Sequence, residues 1–198
     1  MSAVCKILPR FVVFAPFCQI GSRKEKLRYT AQNTAKQSKS ERKKRMIKVM
    51  IVCHGNICRS PMAEFVMKKL AAENGMSDEL YIVSSATSTE ELGNPVYPPA
   101  RSELAAHGIR CAGKTAVQLR KSDYDKYDYF IGMDTANIRN MNRIFGSDPD
   151  EKIYKLLTFA GRGDDVSDPW YSRDFETAYN DIAEGCTGLL KHLRKELL

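Results

Sequence analysis

From residue 46 onward the chain alternates short apolar runs with stretches in which apolar side chains recur every three or four positions. Ile47–Val52 is rich in β-branched residues and stops at a cysteine and a glycine, which predicts a buried strand. Ser60-Pro61 then predicts a helix start, with the serine as N-cap and the proline at the first helical position, where its missing N–H costs little. Met62, Phe65, Val66 and Leu70 follow at helical spacing. Leu80–Ser84 predicts a second strand, and Ala100–His107 a helix stopped by Gly108. Tyr127–Met133 predicts a third strand, followed by a helix carrying Ile138, Met141 and Phe145 on one side, and Lys152–Leu157 a weaker fourth strand. Asp174 opens a long last helix whose inner face is Phe175, Tyr179, Ile182, Cys186, Leu189 and Leu193. Regular strand–helix alternation predicts an α/β fold with a parallel sheet covered by helices on both faces. No segment repeats another.

Residues 1–45 break this pattern. Ile7 to Ile20 is apolar-rich, with Lys6 and Arg10 nearby, and loosely resembles a targeting segment. It contains two prolines and no clear small-residue cleavage pattern, so targeting is not the favoured reading. Ser22 to Arg45 is built of Lys, Arg, Ser, Gln and Thr, and has too little to bury to offset its ordering entropy. The organisation read from sequence is a basic, disordered extension over 1–45 and one domain over 46–198, with Met46 as a natural start of its own.

Charge sharpens that division. The net charge of +7 suggests nucleic-acid binding until it is divided along the chain. Residues 1–45 hold 12 Lys/Arg against two acids, a net +10, whereas residues 46–198 hold 19 against 22, a net −3. A mildly acidic body lacks the basic face that nucleic acid requires. Six cysteines in 198 residues are too sparse for a disulfide scaffold, so a reduced, cytoplasmic setting is expected. No stretch has the apolar length needed to span a bilayer, and no membrane partner is expected.

The chemistry concentrates in Cys53-His54-Gly55-Asn56-Ile57-Cys58-Arg59-Ser60-Pro61, between a strand's C-terminal end and a helix N-terminus. Open α/β sheets bind their ligands at that junction. A helix N-terminus offers unpaired N–H groups and partial positive charge to an anion. A loop of this length can curl further N–H groups around a phosphate, with Gly55 and Asn56 tolerating left-handed backbone angles. Arg59 adds a planar, permanently charged fork matched to two phosphate oxygens. The field that draws phosphate also favours a thiolate at Cys53, a nucleophile aimed at phosphorus. A lone Cys at a strand end is usually a small buried hydrophobe, and a lone Arg is usually solvated. The complete run, in its strand–loop–helix setting, carries the phosphate-cradle reading.

This run resembles the signature loop of low-molecular-weight protein tyrosine phosphatases. The resemblance continues through Ser85-Ala86-Thr87-Ser88, Gly93-Asn94-Pro95, His107-Gly108-Ile109, Asp128-Tyr129, Met133-Asp134, Asn142-Arg143 and Asp168-Pro169-Trp170-Tyr171, and covers Met46 to Leu198. It implies a three-layer fold with a four-stranded parallel sheet flanked by helices. It also implies tyrosine-phosphorylated proteins as substrates, a cysteinyl-phosphate intermediate, and no metal or organic cofactor. Taken alone, Asp168-Pro169 reads as a surface turn, with Pro169 holding Asp168 extended. The matching family element carries a general acid, which assigns Asp168 that role beside nucleophile Cys53 and clamp Arg59. By the same resemblance His54, Gly55, Asn56, Ile57, Cys58 and Ser60 form the phosphate-binding loop, the His54 side chain having no chemistry of its own. Trp170 and Tyr171 suit walls for a flat substrate ring. Ser60 can donate to the Cys53 sulfur, Asn56 can hold the loop's shape, and the family pattern implies that Ser84 and His107 brace it. Glu90 stands where several relatives carry an aromatic pocket residue.

Three other functions are weighed against the phosphatase. Arsenate reduction needs a cysteine pair on a mobile segment, whereas Cys111 and Cys186 are isolated along the chain. Relatives that hydrolyse arginine phosphate have Thr where this chain has Ile57, and the bulkier apolar side chain points to phosphotyrosine. A non-catalytic phosphate-binding module has no use for a cysteine facing an acid. A reversible Cys53–Cys58 disulfide is expected under peroxide, since a thiolate oxidises to a sulfenic acid that a neighbouring thiol captures.

Overall fold

The computed structural model describes residues 46–197. The expectations for residues 1–45, an extension and its targeting content, lie outside the described residues. Strands β1 (Ile47–Cys53), β2 (Leu80–Ala86), β3 (Tyr129–Gly132) and β4 (Ile153–Lys155) form one parallel sheet in the order β2-β1-β3-β4. The helices are α1 (Arg59–Glu73), α2 (Pro98–Ala106), α3 (Thr135–Phe145), α4 (Pro169–Ser172) and α5 (Phe175–Glu196), with 3-10 turns at Lys121–Lys126 and Leu156–Ala160. The four-stranded, three-layer α/β architecture is the one expected.

Strand alternation builds the two cores. Ile47, Val49, Ile51 and Cys53 of β1 face one side and pack with Met62 and Met67 of α1, Leu104 of α2, and Ile182 and Leu189 of α5. Met50 and Val52 face the other side and pack with Phe130, Met141, Phe145 and Leu119. Each such side chain, taken fully out of water, contributes about 1.5–3 kcal/mol. The central strand β1 is therefore buried on both faces. It delivers its last residue, Cys53, to the C-terminal edge of the sheet, where Cys53 pairs in register with Ala86.

Close approach of backbones sets one further constraint. A Cβ at Gly188 in α5 would stand 2.3 Å from the Phe159 carbonyl oxygen, so only glycine allows α5 to lie against the Leu156–Ala160 turn. Asp174 caps α5 by accepting from the Thr177 N–H at 2.9 Å, as its position in the sequence suggested.

Several local expectations are corrected. α1 begins at Arg59, not after Ser60; Cys58 holds the cap position with no side-chain cap, and Met62 N–H closes the first turn on the Cys58 carbonyl at 3.1 Å. Pro61 falls third in the helix, still within the turn whose N–H groups have no intrahelical partner. The buried stripe of α1 is Met62, Ala63, Val66, Met67 and Ala71, with Phe65 and Leu70 half-buried at its margin. The fourth strand ends at Lys155, and the apolar Leu156-Leu157 pair belongs to the 3-10 turn beneath α5. Asp168-Pro169 is not a plain loop: Asp168 caps the one-turn helix α4, accepting from the Trp170 N–H at 3.0 Å.

Candidate active site

The loop between β1 and α1 curls around the Cys53 sulfur. Asn56 adopts φ 57°, the left-handed conformation that Asn tolerates better than most residues. That turn brings the Asn56 N–H to 3.3 Å from Cys53 Sγ. Gly55, in contrast to the sequence expectation, is not among the positive-φ glycines. Its lack of a side chain serves close approach, because a Cβ there would press within 3.2 Å of Glu91 Cγ. Ser60, freed from capping, lies 3.0 Å from Cys53 Sγ and accepts from Asn56 Nδ2 at 2.8 Å. With its lone pair engaged by Asn56, its hydroxyl hydrogen can turn to the sulfur.

The loop rests on a buried polar network. Asn56 Nδ2 also donates to Ser84 Oγ at 2.8 Å, and Asn56 Oδ1 accepts from the Val117 N–H at 3.1 Å. Ser84 Oγ donates to Glu64 Oε2 at 2.5 Å. Lys114 Nζ stands 3.4 Å from the same carboxylate oxygen and donates to the Ser84 carbonyl at 2.9 Å, while Lys68 reaches Glu64 Oε1 at 2.5 Å. Asn56, Ser60, Ser84 and Glu64 are all buried. Burial lowers the Lys114 pKa and the Glu64 charge opposes the change, as for a cation moved from water and given a partner.

His107 does not join this network. Its ring stacks on Tyr179 at 3.7 Å and its Nε2 meets Glu103 at 3.2 Å, so it belongs to the α2–α5 packing rather than to the loop. The base of the brace is Glu64 with Lys114, which the sequence reading missed. Glu64 left one trace, an acid four residues after Ser60 on the helix face that goes on to bury Met67 and Ala71. Lys114 left none, because only the chain's return past β2 brings it under the loop.

Arg59 is held from two sides. Its side chain is 6% exposed, with Nη1 donating to Asp134 Oδ2 at 2.8 Å and Nη2 standing 2.7 Å from Asp168 Oδ2. Asp134 is itself fixed as the N-cap of α3, accepting from the Asn137 N–H at 2.6 Å. Cys53, Arg59 and Asp168, distant in sequence, thus meet in one cleft of about 190 Å³, whose rims are Glu90-Glu91 on one side and Trp170-Tyr171 on the other. Trp170 is 43% exposed and Tyr171 84%, and Trp170 leans on Tyr97 at 5.4 Å. Ile57 and Cys58 tuck under the loop against Ala116. Burial above all, with the Cys53 and Asp168 charges beside it, pushes the Cys58 thiol up to about 12, so Cys58 stays protonated. Both loop cysteines are free.

Among the described residues no group of three His, Cys, Asp or Glu side chains is gathered for a metal ion, and no helix is long and apolar enough to cross a membrane.

Comparison with known proteins agrees with this geometry. The family described as low molecular weight phosphotyrosine protein phosphatase matches residues 48–198. The chain is 37% identical over 153 residues to the low molecular weight protein-tyrosine-phosphatase YfkJ of Bacillus subtilis, covering 76% of this chain and 98% of that one. It is 35% identical over 150 residues to the low molecular weight phosphotyrosine protein phosphatase of Homo sapiens, covering 72% and 93%. The crystal structure of YfkJ superposes with a TM-score of 0.74 over 76% of this chain and 96% of that one. The low molecular weight protein tyrosine phosphatase from Streptococcus pyogenes, 42% identical, superposes at 0.68 over 75% and 93%.

Proposed function

The chain belongs to the low molecular weight phosphotyrosine protein phosphatase family, and from that premise we propose that it hydrolyses phosphotyrosine in proteins through a cysteinyl-phosphate intermediate. Cys53 is the nucleophile, Arg59 the phosphate clamp and Asp168 the general acid. The observation that carries this reading is the convergence on Cys53 Sγ of the Asn56 N–H at 3.3 Å and the Ser60 hydroxyl at 3.0 Å, beside an Arg59 fork 2.7 Å from Asp168.

In the first step the substrate phosphate takes up the loop N–H groups and the Arg59 fork, and Asp168 lets go of the guanidinium it pairs with in the free protein. Cys53 sulfur bonds to phosphorus as the phosphorus–oxygen bond to tyrosine breaks. Asp168, which takes up a proton from water once clear of Arg59, gives it to the departing phenolate oxygen, which leaves as tyrosine. In the second step water attacks phosphorus, its proton passes to the Asp168 carboxylate, and the sulfur–phosphorus bond breaks to release phosphate and the Cys53 thiolate. The Ser60 hydroxyl stabilises that thiolate as leaving group. Charge on the transferring oxygens meets donors already in place, so little reorganisation accompanies the reaction. The domain doing this spans residues 46–198, and residues 1–45 supply none of the groups named.

The test is turnover of p-nitrophenyl phosphate by wild type and Cys53→Ser. Wild type should hydrolyse it, and Cys53→Ser should lose turnover while still binding orthovanadate, since the cradle survives and the nucleophile does not. Hydrolysis by Cys53→Ser well above the uncatalysed rate removes Cys53 from the role.

A further inference from the structure

The two rims of the cleft differ in chemistry. One is aromatic: Trp170 and Tyr171 stand exposed on α4, and the nearby Arg173 is engaged, donating to Tyr97 Oη at 3.1 Å and lying 5.8 Å over the Trp170 ring. The other rim is acidic. Glu90, with a side chain 70% exposed, is steadied by His54 Nε2 at 3.1 Å, and Glu91 accepts from Asn94 Nδ2 at 2.7 Å. Glu91 sits close enough to the loop that its charge helps to raise the Cys58 thiol.

The charge balance of the cleft follows from its lining. Its permanent cation is Arg59, already matched by Asp134 and Asp168, so the Glu90-Glu91 pair is left as an uncompensated negative lip apart from His54. A phosphate dianion entering this cleft gains at the cradle and is opposed at the lip. Cations beside the phosphorylated residue turn that opposition into attraction. Acids beside it add to the repulsion.

We infer that Glu90 and Glu91 are specificity-determining residues that select phosphotyrosine flanked by Lys or Arg, so that the protein substrate is a basic phosphorylated segment. This inference rests on the phosphotyrosine reading above and names its substrate class. Each exposed Glu–Lys contact is worth about a three-fold gain, giving about ten-fold for a peptide that presents a cation to each carboxylate. His54, Asp168 and Tyr171 also line the cleft, Arg173 lies beside it against Tyr97 and Trp170, and all are common to every peptide compared, so the selectivity is carried by the flanking charge and the lip.

The experiment compares kcat/KM on three phosphotyrosine peptides of one sequence, flanked by Lys, Gln or Glu, at low and high salt. The proteins are wild type, Glu90→Gln/Glu91→Gln and Glu90→Asp/Glu91→Asp. Wild type should favour the Lys peptide over the Glu peptide by about ten-fold at low salt, with the ratio shrinking as salt screens the contacts. The Gln variant should bring that ratio close to one, and the Asp variant should retain most of it. Because each ratio is taken within one protein, a general loss of activity does not imitate the result. Equal turnover of the three peptides by wild type, or a ratio the Gln variant leaves untouched, overturns the inference while the phosphatase reading stands. Failure of wild type on p-nitrophenyl phosphate and on every peptide removes the phosphatase reading and this inference with it.

Discussion

The loop at Cys53–Arg59 and the turn at Asp168–Ser172 face each other across one cleft and are built in opposite ways. The loop is fixed from beneath: Asn56, Ser60, Ser84 and Glu64 are buried, with Asn56 tied to Ser60 and to Ser84, and Ser84 to Glu64, by hydrogen bonds of 2.8 Å or less. The turn is one helical turn long, capped by Asp168 itself, and carries the exposed Trp170 and Tyr171. The contact joining the two regions is the Arg59–Asp168 pair at 2.7 Å. An anion cradle is most effective when its donors are in place before the anion arrives, since organising them later consumes binding energy. In the mechanism proposed above, the general acid has the opposite need, because it must leave Arg59 when phosphate arrives and then meet two different oxygens. A buried polar foundation and an exposed aromatic turn thus meet at one ion pair.

The sharpest break in that comparison is a change confined to the turn. Asp168→Asn keeps an N-cap side chain and should leave the melting temperature unchanged, yet slow kcat on phenyl phosphates with poor leaving groups by about 10²–10⁴-fold. Activated leaving groups, which depart without a proton, should lose far less. An equal loss across a leaving-group series measured by steady-state kinetics denies Asp168 the proton transfer.

A change confined to the foundation of the loop should show the reverse, a large cost in stability. Lys114→Met leaves the Glu64 carboxylate buried with Lys68 as its remaining cation, and should cost about 3 kcal/mol in urea unfolding. Adding Glu64→Gln to that variant should restore part of the loss by removing the stranded charge. A Lys114→Met protein as stable as wild type would show that the brace ends at Ser84.

The smallest effect belongs to the turn again. Pro169→Ala frees the backbone of α4 and removes two methylenes of a buried ring, so it should lower stability by about 2 kcal/mol, less than the change at Lys114. The same urea titration checks it. A larger cost would mean the turn is as firmly built as the loop, and the contrast between them would fall.

Hydrophobic periodicity alone was enough for four strands, the four longer helices and a sheet covered on both faces, because burial imposes a period on each element wherever it packs; the one-turn helix at Pro169–Ser172 is too short to show one. The order of Cys, Gly, Asn, Arg and Ser in one run was enough to predict a loop curled between the strand and the helix, because strand end, turn and helix start are contiguous in the chain. Asp168 was legible through family resemblance but not through its own Asp-Pro surroundings. The sequence offered Ser60 both the sulfur and the helix end, and tertiary structure left it the sulfur; tertiary structure alone decided that Asp134 and Asp168 hold Arg59 from two sides, and that His107 stacks on Tyr179 away from the loop. It also decided that Lys114, 50 residues beyond Glu64, supplies the second cation under Ser84. The pairs of Arg59 with Asp134 and Asp168, and of Glu64 with Lys114, join segments far apart in the sequence. A periodic pattern records which side of an element is buried, and it carries no record of which polar group waits there.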